Sequence, residues 1–234
     1  MSILIDFHTH ILPGMDDGSA DLAETLEMLR LLKQQGITLV GATSHFYAKM
    51  ETPESFLRRR AAAAAKINMQ DETLPRILLG AEVAYFDGMS SCEELGQLTM
   101  GDSKLLLVEM PFDTWSHRMV EEVCMLPINL GVIPVIAHVD RYCRKGQMNT
   151  YSQQLLGQGI YFQCNGAAFR SFRRRWWIFQ QMKKGNIHFL GSDCHNTTLR
   201  RPNMDEVLAF VKKRMGRPFL EQMHQDALEL LNLR

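Results

Sequence analysis

Short, continuously apolar runs recur along this chain, separated by stretches with helical spacing, and that alternation limits the fold more than any other feature. The runs at Ile3–Phe7, Ile37–Ala42, Ile77–Glu82, Leu105–Glu109, Val132–Ala137, Ile160–Cys164 and His188–Gly191 read as seven strands. They do not alternate apolar with polar, so they predict parallel strands covered on both faces, as β/α units require. The intervening helices carry their own punctuation. Asp21 and Glu24 form a capping box ahead of Leu22, Leu26, Leu29 and Leu32, and Gly36 ends that pattern. Thr52-Pro53 opens a second helix that runs through Ala61 to Ala65. Asn203 starts another, with Asp205 and Glu206 in its first turn and Lys212, Lys213 and Arg214 in its last, and Pro218 restarts a final helix to about Leu231. No repeat, low-complexity tract or break in composition marks a linker, so residues 1–234 are expected to form a single domain.

Charge and composition narrow the function classes. Lys+Arg 26 against Asp+Glu 26 leaves no net charge, and nothing in that balance calls for nucleic acid or an anionic membrane as partner. The start lacks a basic segment followed by an apolar one. The longest charge-free stretch, Val123 to Val139, is interrupted by Pro127, Asn129, Gly131 and Pro134. No membrane insertion is therefore expected. Five cysteines, an odd number without a CxxC pair, do not make a disulfide framework, and a reducing cytoplasm is the expected location.

Polar residues fall at one end of every strand but one. The first run leads into His8 and His10, the second stops before His45, and the third and fourth close on Glu82 and Glu109. The fifth precedes His138, the last precedes Asp193 and His195, and Asp17 sits in the first long loop. In a β/α barrel the loops at the carboxyl ends of the strands form one mouth, so these residues would converge there. Carboxylates and imidazoles crowded together without a cation would repel one another or lose their charges, an objection that metal ions remove. Nitrogen and oxygen ligands without cysteine suit Mn, Fe or Zn, with Mn2+ the first choice. Eight or nine ligands exceed what one ion needs, so two or three divalent ions are expected.

The residues also resemble a family. DFHTHILPGMDDGSA, TSH at Thr43–His45, GAE at Gly80–Glu82, LVEMPF at Leu107–Phe112, PVIAHVDRY at Pro134–Tyr142 and GSDCHN at Gly191–Asn196 look like the motifs of bacterial PHP-type tyrosine-protein phosphatases. These are the CpsB/YwqE-like enzymes of capsule and exopolysaccharide gene clusters. The resemblance implies a distorted seven-stranded (β/α) TIM-like barrel of the PHP type with a trinuclear site. One metal would take His8, His10, Glu82 and Asp193. A second would share Glu82 and add Glu109 and His138, and a third would take Asp17, His45 and His195. Arg141 and Arg200 fall where the family grips phosphate, and a guanidinium fork matches phosphoryl oxygens. The implied reaction is hydrolysis of phosphotyrosine by a metal-bridging hydroxide, with Asp17 a candidate proton donor to the leaving group. The implied partner is an autophosphorylated bacterial tyrosine kinase, and the implied role is regulation of capsular or exopolysaccharide synthesis.

Other readings remain open from sequence. A small-molecule phosphatase acting on a compound such as histidinol phosphate would keep the metals and change the substrate. Cys164 with Arg170, and Cys194 with Arg200, have the Cys-x5-Arg spacing of thiolate phosphatases. A binding module that retained the barrel would be inert toward phosphoesters. Arg173–Arg175 with Trp176-Trp177 could grip an acidic phosphoprotein tail or a neighbouring subunit in a homo-oligomer, or be arginines lying over a helix whose Trp and Phe179 are core. Arg58–Arg60 reads as a solvated helix face. His117, His188 and His224 lie off the strand-end row and read as structural, although His117 could border the pocket.

Overall fold

A computed structural model describes residues 3–142 and 150–233. Cys143 therefore lies outside the described residues, and Cys92, Cys124 and Cys194 are free thiols. The strand segments are β1 (Ile5–Thr9), β2 (Leu39–Ala42), β3 (His45–Phe46), β4 (Arg76–Leu79), β5 (Glu82–Ala84), β6 (Leu105–Glu109), β7 (Ile133–Ile136), β8 (Tyr161–Asn165) and β9 (Phe189–Gly191). Every pairing between them is parallel, in the orders β1-β2-β4 and β3-β5-β6-β7-β8-β9. The second and third expected strands are each broken in two. Thr43 and Ser44 part β2 from β3, and Gly80 and Ala81 part β4 from β5. Backbone bonding continues across the breaks, from Gly80 N to Ala42 O at 2.9 Å and from Glu82 N to Ser44 O at 3.0 Å. Glu82 thus opens a segment instead of closing one, and His8 lies inside β1, not beyond it.

The two sheets meet where β1 passes the chain leaving β9. Asp193 N donates to His8 O at 2.8 Å, His10 N donates to Cys194 O at 2.9 Å, and Thr9 and Cys194 form an isolated parallel bridge. Register within β1 shifts between Asp6 and Thr9, which pair with Val40 and Ala42, so three steps of one strand face two of the other. A bulge of this kind re-aims side chains. It lets both Phe7 and His8 turn to the inside, where strict alternation would have split them.

Inside the ring of strands, Ile5, Phe7, Leu107, Val135 and Phe189 pack together, with the Phe7 and Phe189 rings stacked 4.1 Å apart. Helix α7 (Arg217–Leu230) covers the amino ends of the strands, its Ala227 and Leu228 joining this inner cluster. A larger cluster lies between the strands and the helices α1 (Leu22–Gln34), α2 (Pro53–Ala64), α3 (His117–Leu130), α4 (Thr150–Gly157), α5 (Phe172–Lys183) and α6 (Met204–Met215). The cap signals hold where they were expected for α1 and α2: Asp21 accepts from Glu24 N and Thr52 from Ser55 N. Glu24 reaches back to Ala20 N, one residue earlier than a reciprocal box requires. Asn203 precedes α6 without a side-chain cap bond. No described helix is long and apolar enough to cross a membrane.

Candidate metal centre

The carboxyl ends of the strands bring the row of polar residues into three adjoining groups. In the first, His8 Nε2 lies 3.1 Å from Glu82 Oε2 and 3.7 Å from Asp193 Oδ1, and His10 Nε2 lies 3.3 and 3.5 Å from the same two oxygens. In the second, His138 Nε2 lies 2.9 Å from Glu82 Oε1 and 3.2 Å from Glu109 Oε1. His45 Nδ1 approaches this group too, 3.1 Å from Glu82 Oε2. In the third, Asp17 Oδ1 lies 3.6 Å from His45 Nε2 and 3.4 Å from His195 Nε2. All nine expected ligands therefore stand together, with Glu82 between the first two groups and the two ring nitrogens of His45 facing different groups. Asp17 alone is exposed; His8, His10, Glu82, His138, Asp193 and His195 are buried.

Burial on this scale sets the electrostatics. Desolvation alone would raise the Glu82 carboxyl, yet the imidazoles of His8, His10 and His138 hold it well below the ordinary carboxylate range. Asp193 is depressed against the same burial by His8 and His10. Desolvation lowers His10 and His138, but carboxylate partners overcome it and carry them up to about 10 and about 9. The site therefore calls for positive charge. His45 Nδ1, His138 Nδ1 and His195 Nε2 are buried without a hydrogen-bond partner. Three groups of His, Asp and Glu donors each lie within 4.8 Å: His10, Asp17, His45 and His195; His8, His10 and Glu82; and His45, Glu82 and Glu109. Hard carboxylate and imidazole donors, acid-depressed oxygens and orphaned ring nitrogens fit divalent cations.

Two of the expected ligands are held in unusual backbone. His138 has φ 34° and Asp193 φ 54°, left-handed values that cost a residue with a side chain about 1–3 kcal/mol. Each lies two residues beyond the end of its strand, β7 or β9.

Several supporting residues escaped the sequence reading. Asp16 Oδ2 accepts from His10 Nδ1 at 2.8 Å and from His45 N at 2.7 Å, so the first carboxylate of the Asp16-Asp17 pair orients imidazoles while the second faces the mouth. Asp6 accepts from Ser192 N at 2.8 Å, and burial pushes its carboxyl up to about 6. Gln163 and Asn165 extend from β8 into the centre. Their sequence signal was a polar alternation, Gln163 inside the run Ile160–Cys164 read as apolar and Asn165 just after it.

Arg141 and Arg200 both reach Asp193, Arg200 at 2.9 Å, and Arg200 also lies 3.6 Å from Asp17 Oδ2. Each remains about one-third exposed beside the mouth. Phe112, 57% exposed, stacks on His138 with ring centres 5.7 Å apart, and Tyr47 stacks on His45 at 5.2 Å. A pocket of about 390 Å3 beside Asp16, Asp17, His45 and Tyr47 is completed by Met15, Met50, Glu51 and Arg59. Arg58–Arg60 is therefore not simply a solvated face: Arg58 is, but Arg59 bonds to Glu51 and to Met15 O, and Arg60 donates to Gly80 O at 3.0 Å.

The thiolate reading loses its geometry. Cys164 and Cys194 are wholly buried, burial pushes the Cys194 thiol well above its usual range, and their spaced arginines are engaged elsewhere. Arg170 pairs with Glu206, and Arg200 with Asp193 and Asp17. On α5, Trp177 is core and Phe179 half-buried, but Trp176 is 61% exposed, so the reading of a helix whose Trp and Phe179 are core holds for Trp177 alone. Arg173 and Arg174 are exposed, and Arg175 lies over the Phe210 ring at 5.3 Å. His117 pairs with Glu121 on the exposed side of α3, whereas Nδ1 of His188 and of His224 accepts a backbone N–H.

Comparison with known proteins identifies the chain's family and relatives. The model of the family described as capsular polysaccharide synthesis, CpsB/CapC, matches residues 4–232. The tyrosine-protein phosphatase YwqE of Bacillus subtilis is 31% identical over 233 residues, which span 97% of this chain and 91% of YwqE. A chain from the crystal structures of YwqE and of CpsB from Streptococcus pneumoniae, described there as unique metal-dependent tyrosine phosphatases, superposes with a TM-score of 0.84 at 27% identity, covering 99% of this chain and 95% of its own. A TatD family hydrolase from Entamoeba histolytica shares the fold at a TM-score of 0.60 and 10% identity, covering 100% of this chain and 99% of its own.

Proposed function

We propose that this chain, which belongs to the CpsB/CapC family of capsular polysaccharide synthesis, is a metal-dependent protein-tyrosine phosphatase that regulates capsular or exopolysaccharide production by dephosphorylating a bacterial tyrosine kinase. The observation that carries the reading is the junction of three His/Asp/Glu groups with two guanidiniums at one barrel mouth. We also read the nine strand segments as seven staves of a closed PHP-type barrel, two of them interrupted. The hydrogen bonds that continue across both breaks, and those joining β1 to the chain after β9, support that count.

His8, His10, Glu82 and Asp193 would hold one divalent ion, Glu82, Glu109 and His138 a second, and Asp17, His45 and His195 a third, with manganese the proposed metal. Bound there, such ions supply a water acidified toward neutral pH as nucleophile and Lewis-acid charge for phosphoryl oxygens. The chain's own residues do the rest. Arg141 and Arg200, paired with Asp193 and each about one-third exposed, would offer donors to the nonbridging oxygens, where charge grows during transfer. Phe112 and Tyr47 flank the mouth and present ring faces to the phenol of the substrate. A phenolate leaving group with a pKa of about 10 needs little proton assistance, so Asp17, 64% exposed at the rim, would serve as a carboxylate ligand of the third ion.

Substrate choice is tested by comparing kcat/KM for a phosphotyrosine peptide, histidinol phosphate and p-nitrophenyl phosphate. A preference for the peptide over histidinol phosphate is expected. Turnover of histidinol phosphate with no activity on the peptide would move the assignment to a small-molecule phosphatase.

A further inference from the structure

Strand β8 supplies none of the proposed metal ligands, yet two of its side chains touch ligands from three other parts of the barrel. Gln163 Oε1 accepts from His138 N at 2.7 Å and faces His8 Nδ1 at 3.3 Å. Gln163 Nε2 donates to Asn165 Oδ1 at 3.0 Å, and Asn165 Nδ2 donates to Asp193 Oδ2 at 2.6 Å. Gln163 and Asn165 are both buried. The two residues therefore bridge β1, the turn after β7 and the turn after β9.

Hydrogen-bond polarity along this chain can run only one way. The His138 N–H can only donate, so it fixes which end of the Gln163 amide is oxygen. The Asp193 carboxylate can only accept, which fixes the Asn165 amide in the same sense. With both amides set from their ends, His8 Nδ1 faces an acceptor and must carry hydrogen. The lone pair of a neutral His8 is then on Nε2, the atom that faces Glu82 and Asp193. The same contacts brace the two residues held at positive φ, His138 through its backbone and Asp193 through its carboxylate. The barrel also makes room for the link. A Cβ on Gly191 would stand 2.6 Å from His8 Cβ and 2.8 Å from Gln163 Nε2, so β9 passes between β8 and β1 without a side chain.

We propose that Gln163 and Asn165 are positioning residues that set the His8 tautomer and hold His138 and Asp193 in metal-binding orientation. This rests on the metal-centre reading above. It adds a function for β8 in which no β8 atom touches metal or substrate. Ligand-orienting hydrogen bonds of this kind are worth about 10- to 100-fold in metal affinity.

The test reads metal binding and ring chemistry, separately from turnover. Mn2+ affinity is measured by competition with a chromophoric chelator, and the His8 tautomer by long-range 1H–15N NMR of zinc-loaded, 15N-histidine protein. Wild type is expected to show the His8 proton on Nδ1; a proton on Nε2 overturns the inference. Gln163→Leu is expected to weaken Mn2+ by about 10- to 100-fold, and an unchanged affinity in the folded variant overturns it. Gln163→Glu keeps an acceptor for both His8 and His138 but loses the Nε2 donor to Asn165 Oδ1, so it is expected to retain the Nδ1 proton while Mn2+ affinity falls. Should the Leu variant not fold, a Glu variant with the His8 proton on Nε2, or with unchanged Mn2+ affinity, overturns the inference. Wild-type protein that takes up neither metal would remove the metal-centre reading itself, a failure distinct from wild type and Gln163→Leu binding Mn2+ alike.

Discussion

At the scale of single residues, chemistry was legible wherever residue type alone decided it. His8, His10, His45, Glu82, Glu109, His138, Asp193 and His195 announce themselves as donors at strand ends, and the structure gathers them into adjoining groups at one mouth. Asp16, Gln163 and Asn165 did not, because an orienting residue is defined by the group it faces, which only the folded chain supplies. His224 shows the opposite case of a histidine off the row with a structural task. It is buried, its Nδ1 accepts from Ile5 N at 3.2 Å, and desolvation lowers it to about 4 from an ordinary 6.5. The unfolded chain binds that proton as pH falls below 6.5 and the folded chain does not until about 4, so stability is complete above this window and declines through it. The full loss is on the order of 3 kcal/mol. Denaturant unfolding at pH 7.5 and pH 5 should show a smaller decline in His224→Gln than in wild type; equal declines would show that His224 does not titrate this way.

At the scale of elements, helix starts were the most readable features, since Asp21 and Thr52 cap through contacts only three residues long. The breaks between β2 and β3 and between β4 and β5 were not, nor was the bulge in β1, because each is fixed by register against a neighbouring strand. Gly191 depends on such cross-strand geometry. Adding a methyl there places it 2.6 Å from His8 Cβ and 2.9 Å from His8 N, so β1 and β9 must separate. Gly191→Ala should lose about 1–3 kcal/mol of stability and weaken Mn2+ binding with it. A variant as stable as wild type would mean that the barrel relaxes at this crossing without strain.

At the scale of the whole molecule, the alternation of apolar runs and helices identified a parallel α/β fold, and the strand-end row located its mouth. What stayed hidden was the packing around that mouth: the pocket completed by Arg59, the exposed Phe112 over His138, and the helix α7 across the opposite end. The buried carboxylates also tie overall stability to cations. An ion that binds only the folded chain stabilises it by about 2.7 kcal/mol at a hundredfold excess over its Kd. For a chain of this size that raises Tm by roughly 5–10 °C, measurable by calorimetry with and without Mn2+.

The most direct measurement is hydrolysis of a phosphotyrosine peptide by chelator-stripped protein before and after Mn2+ is restored, with Glu82→Gln in parallel. Activity that appears only with Mn2+ and is absent from Glu82→Gln, which lacks the carboxylate standing between two ligand groups, is the predicted result. Activity that survives both stripping and the substitution would contradict a metal-dependent phosphatase at this site.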